Sequence, residues 1–209
     1  MIKLRKTAVP GALARNAARW TAELLKEIAA GGDKVALRQN KYNHPEIKAA
    51  LIAETNEKCA YCESLPLHVT HGDIEHITPK SEAPDLTFEW NNLTLACTIC
   101  NGKKSNKEDL LDPYNDEVRD DLKFVGPMVL HKDGSAKAER TVLELDLNRK
   151  DLVARRLDHL MYVNARIRDN NKNPDAHERE LTRAALSAFF ETPAAAFSAC
   201  AQDFIALQN

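Results

Sequence analysis

A chain of 209 residues that is 44% hydrophobic and 29% charged, with a net charge of -2, has the composition of an ordinary globular protein, neither disordered nor fibrous. No apolar run approaches the roughly 20 residues of a membrane span, and the acid-free, Arg-rich opening MIKLRKTAVPGALARNAARW lacks the continuous apolar stretch of a secretory signal. We therefore expect a folded cytoplasmic protein with no membrane partner. The near-neutral balance argues against a basic module that coats nucleic acid. Its distribution is uneven: residues 1–58 hold 11 Lys+Arg against 6 Asp+Glu, residues 59–113 hold 4 against 9, and residues 114–209 hold 14 against 16.

In chain order, Leu13, Ala17, Trp20, Leu24 and Ile28 recur at three- and four-residue steps, the pattern of one buried helix face, and Gly31-Gly32 ends it. Pro45 opens a second helix with Ile47 and Leu51 on its buried side. Residues 72–79 and 92–96 read as extended arms, and 98 to about 108 as a short polar helix. Beyond Asp112-Pro113 a hairpin is expected, with strands at 122–125 and 128–131 and Lys132-Asp133-Gly134 as turn material. Asn148 reads as the N-cap of a long helix that Asn170-Asn171 breaks, and two further helices, about 175–190 and 193–207, are separated by Thr192-Pro193. The fold class is α+β: mainly helical, with a small strand-containing core in the middle. Three regions follow, an N-terminal helical region 1–58, a central core 59–113 and a C-terminal hairpin and helical region 114–209.

Five cysteines include two Cys-x-x-Cys knuckles, Cys59/Cys62 and Cys97/Cys100. Four thiolates can surround one ion tetrahedrally, the geometry and softness that zinc favours. The alternatives are two unrelated pairs of buried thiols, or a redox pair, which would need a strand-helix context that neither knuckle has. Cys200, among Ala194, Phe197 and Ala201, reads as a small core residue. His68 and His71 read as solvent-facing loop residues.

Between the knuckles stand Gly72-Asp73-Ile74-Glu75-His76-Ile77-Thr78-Pro79-Lys80 and then Glu89-Trp90-Asn91-Asn92-Leu93, and the second knuckle itself reads Ala96-Cys97-Thr98-Ile99-Cys100-Asn101-Gly102-Lys103-Lys104. This resembles the HNH nuclease family with its ββα-metal site, over residues 59–113. His76 is chemically suited to take a proton from water near neutrality. Glu75 and Asn101 offer hard oxygens that suit Mg²⁺ or Mn²⁺. The family pattern implies that Asn92 orients His76 by holding the hairpin and that Lys104, with Lys103 beside it, meets a phosphate of the substrate. Adjacent residues on a regular strand point to opposite faces, so an irregular backbone is expected around Glu75 and His76. Many family members carry Asp where Glu75 stands.

Outside this core, Ile2-Lys3 to Pro10, the run Pro84 to Leu93, Leu111-Asp112-Pro113 and Val142 to Arg149 are similar to the HNH subunits of Septu-type and related retron anti-phage systems, over about residues 1–165. That resemblance implies an ABC-class ATPase partner. The chain itself has no Gly-x-x-x-x-Gly-Lys loop to cradle ATP. The expected function is a metal-dependent endonuclease acting on nucleic acid, DNA favoured and RNA allowed. The alternatives are a zinc-stabilised interaction module that does not cut, and a free-standing restriction-type enzyme, for which a DNA-reading domain would be expected.

Overall fold

A computed structural model describes residues 1–208. The chain begins with a buried extended segment, Met1, Ile2 and Leu4 all pointing inward. Helix α1 (Gly11–Ala29) follows the predicted periodicity and buries Leu13, Trp20 and Leu24, whereas Ile28 lies at its exposed edge. A short helix α2 (Val35–Gln39) and a 3-10 turn, Asn40–Tyr42, come next. Neither is legible in the sequence, because five residues are too few to show a period. Helix α3 (Pro45–Glu54) starts at Pro45 as expected. Its cap is His44, whose Nδ1 accepts from the Glu46 amide at 3.2 Å.

Strands β1 (Asp73–His76) and β2 (Leu93–Ala96) form a two-stranded antiparallel sheet, and α4 (Thr98–Lys104) follows directly. The register runs one to one from Asp73 opposite Ala96 to His76 opposite Leu93. The irregular backbone expected around Glu75 and His76 is therefore absent: four continuous pairs hold this strand regular. Helix α4 stops at Lys104, short of the predicted 108, because Ser105 takes a positive φ of 48°.

After the turn-like helix α5 (Val118–Asp121), strands β3 (Leu122–Val125) and β4 (Met128–His131) form the expected hairpin. Its turn is Gly126-Pro127, with Gly126 at a φ of 56°. Lys132-Asp133-Gly134 instead leads from β4 into α6 (Ala136–Glu144), a helix the sequence reading omitted. Asn148 does not cap α7 (Lys150–Asn171). Its amide accepts from the Val129 N–H at 2.9 Å and donates to the Val129 carbonyl at 2.8 Å, so a strand's backbone has outcompeted the helix end for it. Helix α8 (Ala176–Phe190) begins at Asp175, whose carboxylate accepts from His177 and Glu178 amides. Helix α9 (Ser198–Ala206) starts five residues later than the Thr192-Pro193 pair suggested, at a left-handed Phe197.

Two large cores cross the boundaries expected at residues 58 and 113. One joins α1 and α3 to the β1/β2 sheet through Leu13, Trp20, Leu24, Ile47, Leu93 and Leu95. The other packs the opening segment, the four knuckle cysteines, the β3/β4 hairpin and α9 together. Between them lies a buried polar cluster. Glu54 accepts from Lys6 Nζ at 3.0 Å, Tyr114 Oη at 2.7 Å and the Thr7 amide at 2.7 Å. The Lys6 ammonium sits 4.4 Å from the Trp90 ring and 4.1 Å from the Tyr114 ring. Removing one partner of such a pair strands the other in low dielectric. Glu54→Ala is therefore expected to lower the unfolding free energy by about 3–5 kcal/mol, measured by denaturant titration. An unchanged midpoint would show that Lys6 finds water instead. Among the described residues, no helix is long and apolar enough to cross a membrane.

Candidate active site and metal centre

The two knuckles are built by different local means. In the first, the Cys59 amide donates to the Ser64 carbonyl at 2.9 Å and the Glu63 amide to the Cys59 carbonyl at 3.0 Å, closing a tight loop that needs Glu63 at a φ of 62°. In the second, Cys97 is the N-cap of α4, its Sγ accepting from the Cys100 amide at 3.4 Å. The Ala60 amide donates to the Leu95 carbonyl at 2.9 Å, which ties the first knuckle to the strand leading into the second. All four Sγ atoms lie within 4.8 Å of one another.

That arrangement fits a zinc ion. A bond of about 2.3 Å from each sulfur sets the tetrahedral edge near about 3.8 Å, and Cys62 Sγ stands 3.8 Å from Cys97 Sγ. Four thiolates around a divalent cation carry two excess negative charges. The Arg149 guanidinium, with both terminal nitrogens 3.8 Å from Cys100 Sγ, is placed against that excess. Beside the knuckle, burial disfavours the Glu63 carboxylate, yet the Met1 amino group at 2.7 Å, Lys58 and Ser198 hold it down to about 2. Cys200 is buried away from the cluster, as expected for a core residue, and burial pushes its thiol up to about 12. His68 and His71 are exposed.

Because α4 starts at the second knuckle, the metal centre also aims the helix across β1. Two side-chain pairs bridge them. Asn101 Nδ2 donates to Asp73 Oδ2 at 2.9 Å, and Lys104 Nζ donates to Glu75 Oε1 at 2.9 Å. Residues two apart on a strand share a face, as do residues three apart on a helix, so the two pairs lie side by side. A carboxylate can only accept; Asp73 therefore takes the amide nitrogen of Asn101 and leaves its Oδ1 as the free end.

His76 points to the other face of the strand. Its Nε2 lies 3.0 Å from the Thr87 carbonyl, which can only accept. Nε2 therefore carries the proton and Nδ1 is the free acceptor. The Tyr42 ring packs edge-on against the imidazole at 4.6 Å. Burial holds His76 down at about 4, with Lys80 and Lys104 adding to the effect and the Thr87 bond opposing it, so the ring is neutral at pH 7. Burial also raises the Glu75 carboxyl, against the pull of Lys104.

Although Glu75 and His76 face opposite ways, a cavity of about 280 Å³ across the end of β1 is lined by both, together with Asn101, Tyr42, Lys80 and Asn106. The regular strand thus still delivers both residues to one cleft. Asn92 is buried and its side chain makes no hydrogen bond to His76. Its Oδ1 accepts from the Thr78 amide at 2.7 Å, and its Nδ2 donates to the Thr78 and Leu86 carbonyls at 3.0 and 3.2 Å. It pins the loop that leaves the strand to the segment that carries Thr87.

The two lysines expected at a phosphate stand elsewhere. Lys104 is buried between Glu75 and the His76 carbonyl, 2.8 Å away, because burying a carboxylate on this sheet requires a partner. Lys103 pairs with Asp146 at 3.0 Å. Conversely, Tyr42, Asp73, Lys80 and Thr87 were not singled out as site residues. Asp73 and Lys80 flank the Glu75-His76 motif and share its strand face or its exit loop. Tyr42 lies 34 residues upstream and leaves no local signal.

The HNH endonuclease family profile matches residues 59–107, the first cysteine to just past α4. The chain is similar to the Septu protein PtuB of Bacillus thuringiensis, 34% identical over 156 residues covering 72% of this chain and 56% of that protein. It is also similar to the Septu protein PtuB of Bacillus mycoides (strain KBAB4), 27% identical over 196 residues covering 75% of this chain and 66% of that protein. The matches thus span less than two thirds of the length of each of these relatives. With the four-thiolate centre, the two strands and the helix in the order the matched profile covers, the chain belongs to the HNH endonuclease family, in its Septu-type branch.

Proposed function

We propose that the protein is a metal-dependent endonuclease that hydrolyses phosphodiester bonds of nucleic acid, DNA favoured over RNA, as the nuclease of an anti-phage defence system in the cytoplasm. The single observation that carries this reading is the convergence of His76, Glu75 and Asn101 on one cleft. The His76 ring, neutral and held through its Nε2–H by the Thr87 carbonyl, takes the proton of the attacking water on its free Nδ1. Glu75 and the Asn101 Oδ1 would hold Mg²⁺ or Mn²⁺, ions that accept one or two carboxylate ligands and keep several waters. When bound, such an ion supplies Lewis-acid stabilisation of charge on the phosphate and the departing oxygen. Asn92 keeps the Thr87 segment beside His76, and Asp73 keeps the Asn101 oxygen turned outward.

An ABC-class ATPase partner is part of the same proposal. It is supported by the similarity to Septu proteins; since this sequence carries no Gly-x-x-x-x-Gly-Lys loop, any ATP would be bound by that partner. Helices α7 and α8 leave Leu157, Met161, Leu181 and Phe189 exposed, the apolar surface we assign to that contact. The test is a cleavage assay on DNA and RNA with Mg²⁺ or Mn²⁺, with and without the product of the adjacent gene. Cutting that requires the metal supports the reading; none under any condition sinks it. In the same assay, Asn101→Ala and Glu75→Gln are each expected to raise the metal concentration for half-maximal cutting by at least about tenfold. An unchanged metal requirement would place the ion elsewhere.

A further inference from the structure

Residues 59–107 carry four lysines, and three are matched by acids: Lys103 by Asp146, Lys104 by Glu75 and Lys107 by Glu144 at 3.3 Å. Among the described residues Lys80 makes no ion pair. Its Nζ is 3.2 Å from Tyr42 Oη and 4.8 Å from the centre of the same ring, and Tyr42 is the residue packed on His76. The backbone leading to it is anchored, since Thr78 is pinned by Asn92 and the Pro79 ring fixes its own φ and restricts Thr78. An ammonium held in place by a neutral oxygen and a ring face, at the rim of the cleft that holds the candidate base, lacks its counter-anion.

We propose that Lys80 and Tyr42 form a phosphate-binding arm, taking a phosphodiester of the strand being cut on the side of the cleft opposite Glu75 and Asn101. The directions of the bonds favour it. An ammonium can only donate, so Tyr42 Oη is the acceptor in its bond with Lys80 and its own O–H hydrogen is free to donate. The pair thus presents two donors to one anionic oxygen. Tyr42 comes from the turn before α3, outside the matched residues 59–107, so the N-terminal region supplies one wall of the site. The inference rests on the nuclease reading for its ligand, but it concerns binding and can fail separately.

The experiment uses the full chain with its zinc, and labelled single-stranded DNA and RNA oligonucleotides of one sequence, titrated in Ca²⁺ across a salt series and followed by fluorescence anisotropy. Lys80→Ala is expected to weaken binding about five- to tenfold at low salt and to lower the steepness of the log–log salt dependence by about 0.7, the share of one phosphate contact on a single strand. Lys80→Arg should keep the slope. Tyr42→Phe, which retains the packing on His76, should keep the slope and weaken binding about two- to fivefold through one lost hydrogen bond. In cleavage assays Lys80→Ala should raise KM more than it lowers kcat. Wild-type affinity and slope in Lys80→Ala, at normal zinc content, would overturn the proposal, as would an absence of wild-type binding to either oligonucleotide. Binding that responds to Lys80 without any cutting by the wild type would leave the arm standing and remove the nuclease.

Discussion

Cys97→Ser is expected to release the metal and unfold the middle of the protein. Purified wild type should contain one zinc per chain by elemental analysis, and the variant none. Structural zinc is worth about 10–16 kcal/mol in small peptides. In this chain part of that is offset by the surrounding cores, so a loss of several kcal/mol is expected. For a domain of this size each kcal/mol moves the melting temperature by about 2–4 °C, which places the variant about 10–20 °C lower or without a cooperative transition. The size of the effect follows from where the knuckles sit. They share a core with Met1, Leu4, Leu111, Val142 and Cys200, and they begin the helix that carries Asn101 and Lys104. Cys200→Ala is the control: equally buried but outside the cluster, it should keep one zinc. A wild type without zinc, or a Cys97→Ser variant with unchanged melting, would falsify the assignment.

His76→Ala is expected to lose cutting by about 10²–10⁴-fold, the usual worth of a positioned proton acceptor, while zinc content stays at one per chain. The imidazole is buried, and its removal leaves the Thr87 carbonyl without its donor. A cost of about 1–3 kcal/mol in stability is therefore expected as well, small enough for the protein to remain folded at assay temperature. His159→Ala provides the comparison. His159 is a half-buried histidine packed between Phe190 and Phe197, far in sequence from the motif, and its loss should spare cutting. Should His76→Ala cut at the wild-type rate, the proton acceptor lies outside this cleft.

Much of this protein could be read before its shape was known. Composition identified a globular chain without a membrane span, period 3.6 located α1, and Pro45 opened α3. The spacing of Cys59, Cys62, Cys97 and Cys100, with Glu75, His76 and Asn92 in order between the knuckles and Asn101 directly after the second, named the family. These signals are local: a knuckle, a helix face or a hairpin is encoded within a few residues by geometry the backbone repeats everywhere. Tertiary structure decided what depended on competition between distant groups. Asn148 was free to cap a helix until the Val129 backbone offered it two hydrogen bonds. Lys104 was free to meet a phosphate until burial of Glu75 demanded a partner. Tyr42 became part of the cleft only because α1 and α3 pack on the β1/β2 sheet and carry the turn between them to His76. A side chain with several admissible partners reports its chemistry in the sequence, whereas the partner it takes is set by which groups folding removes from water together.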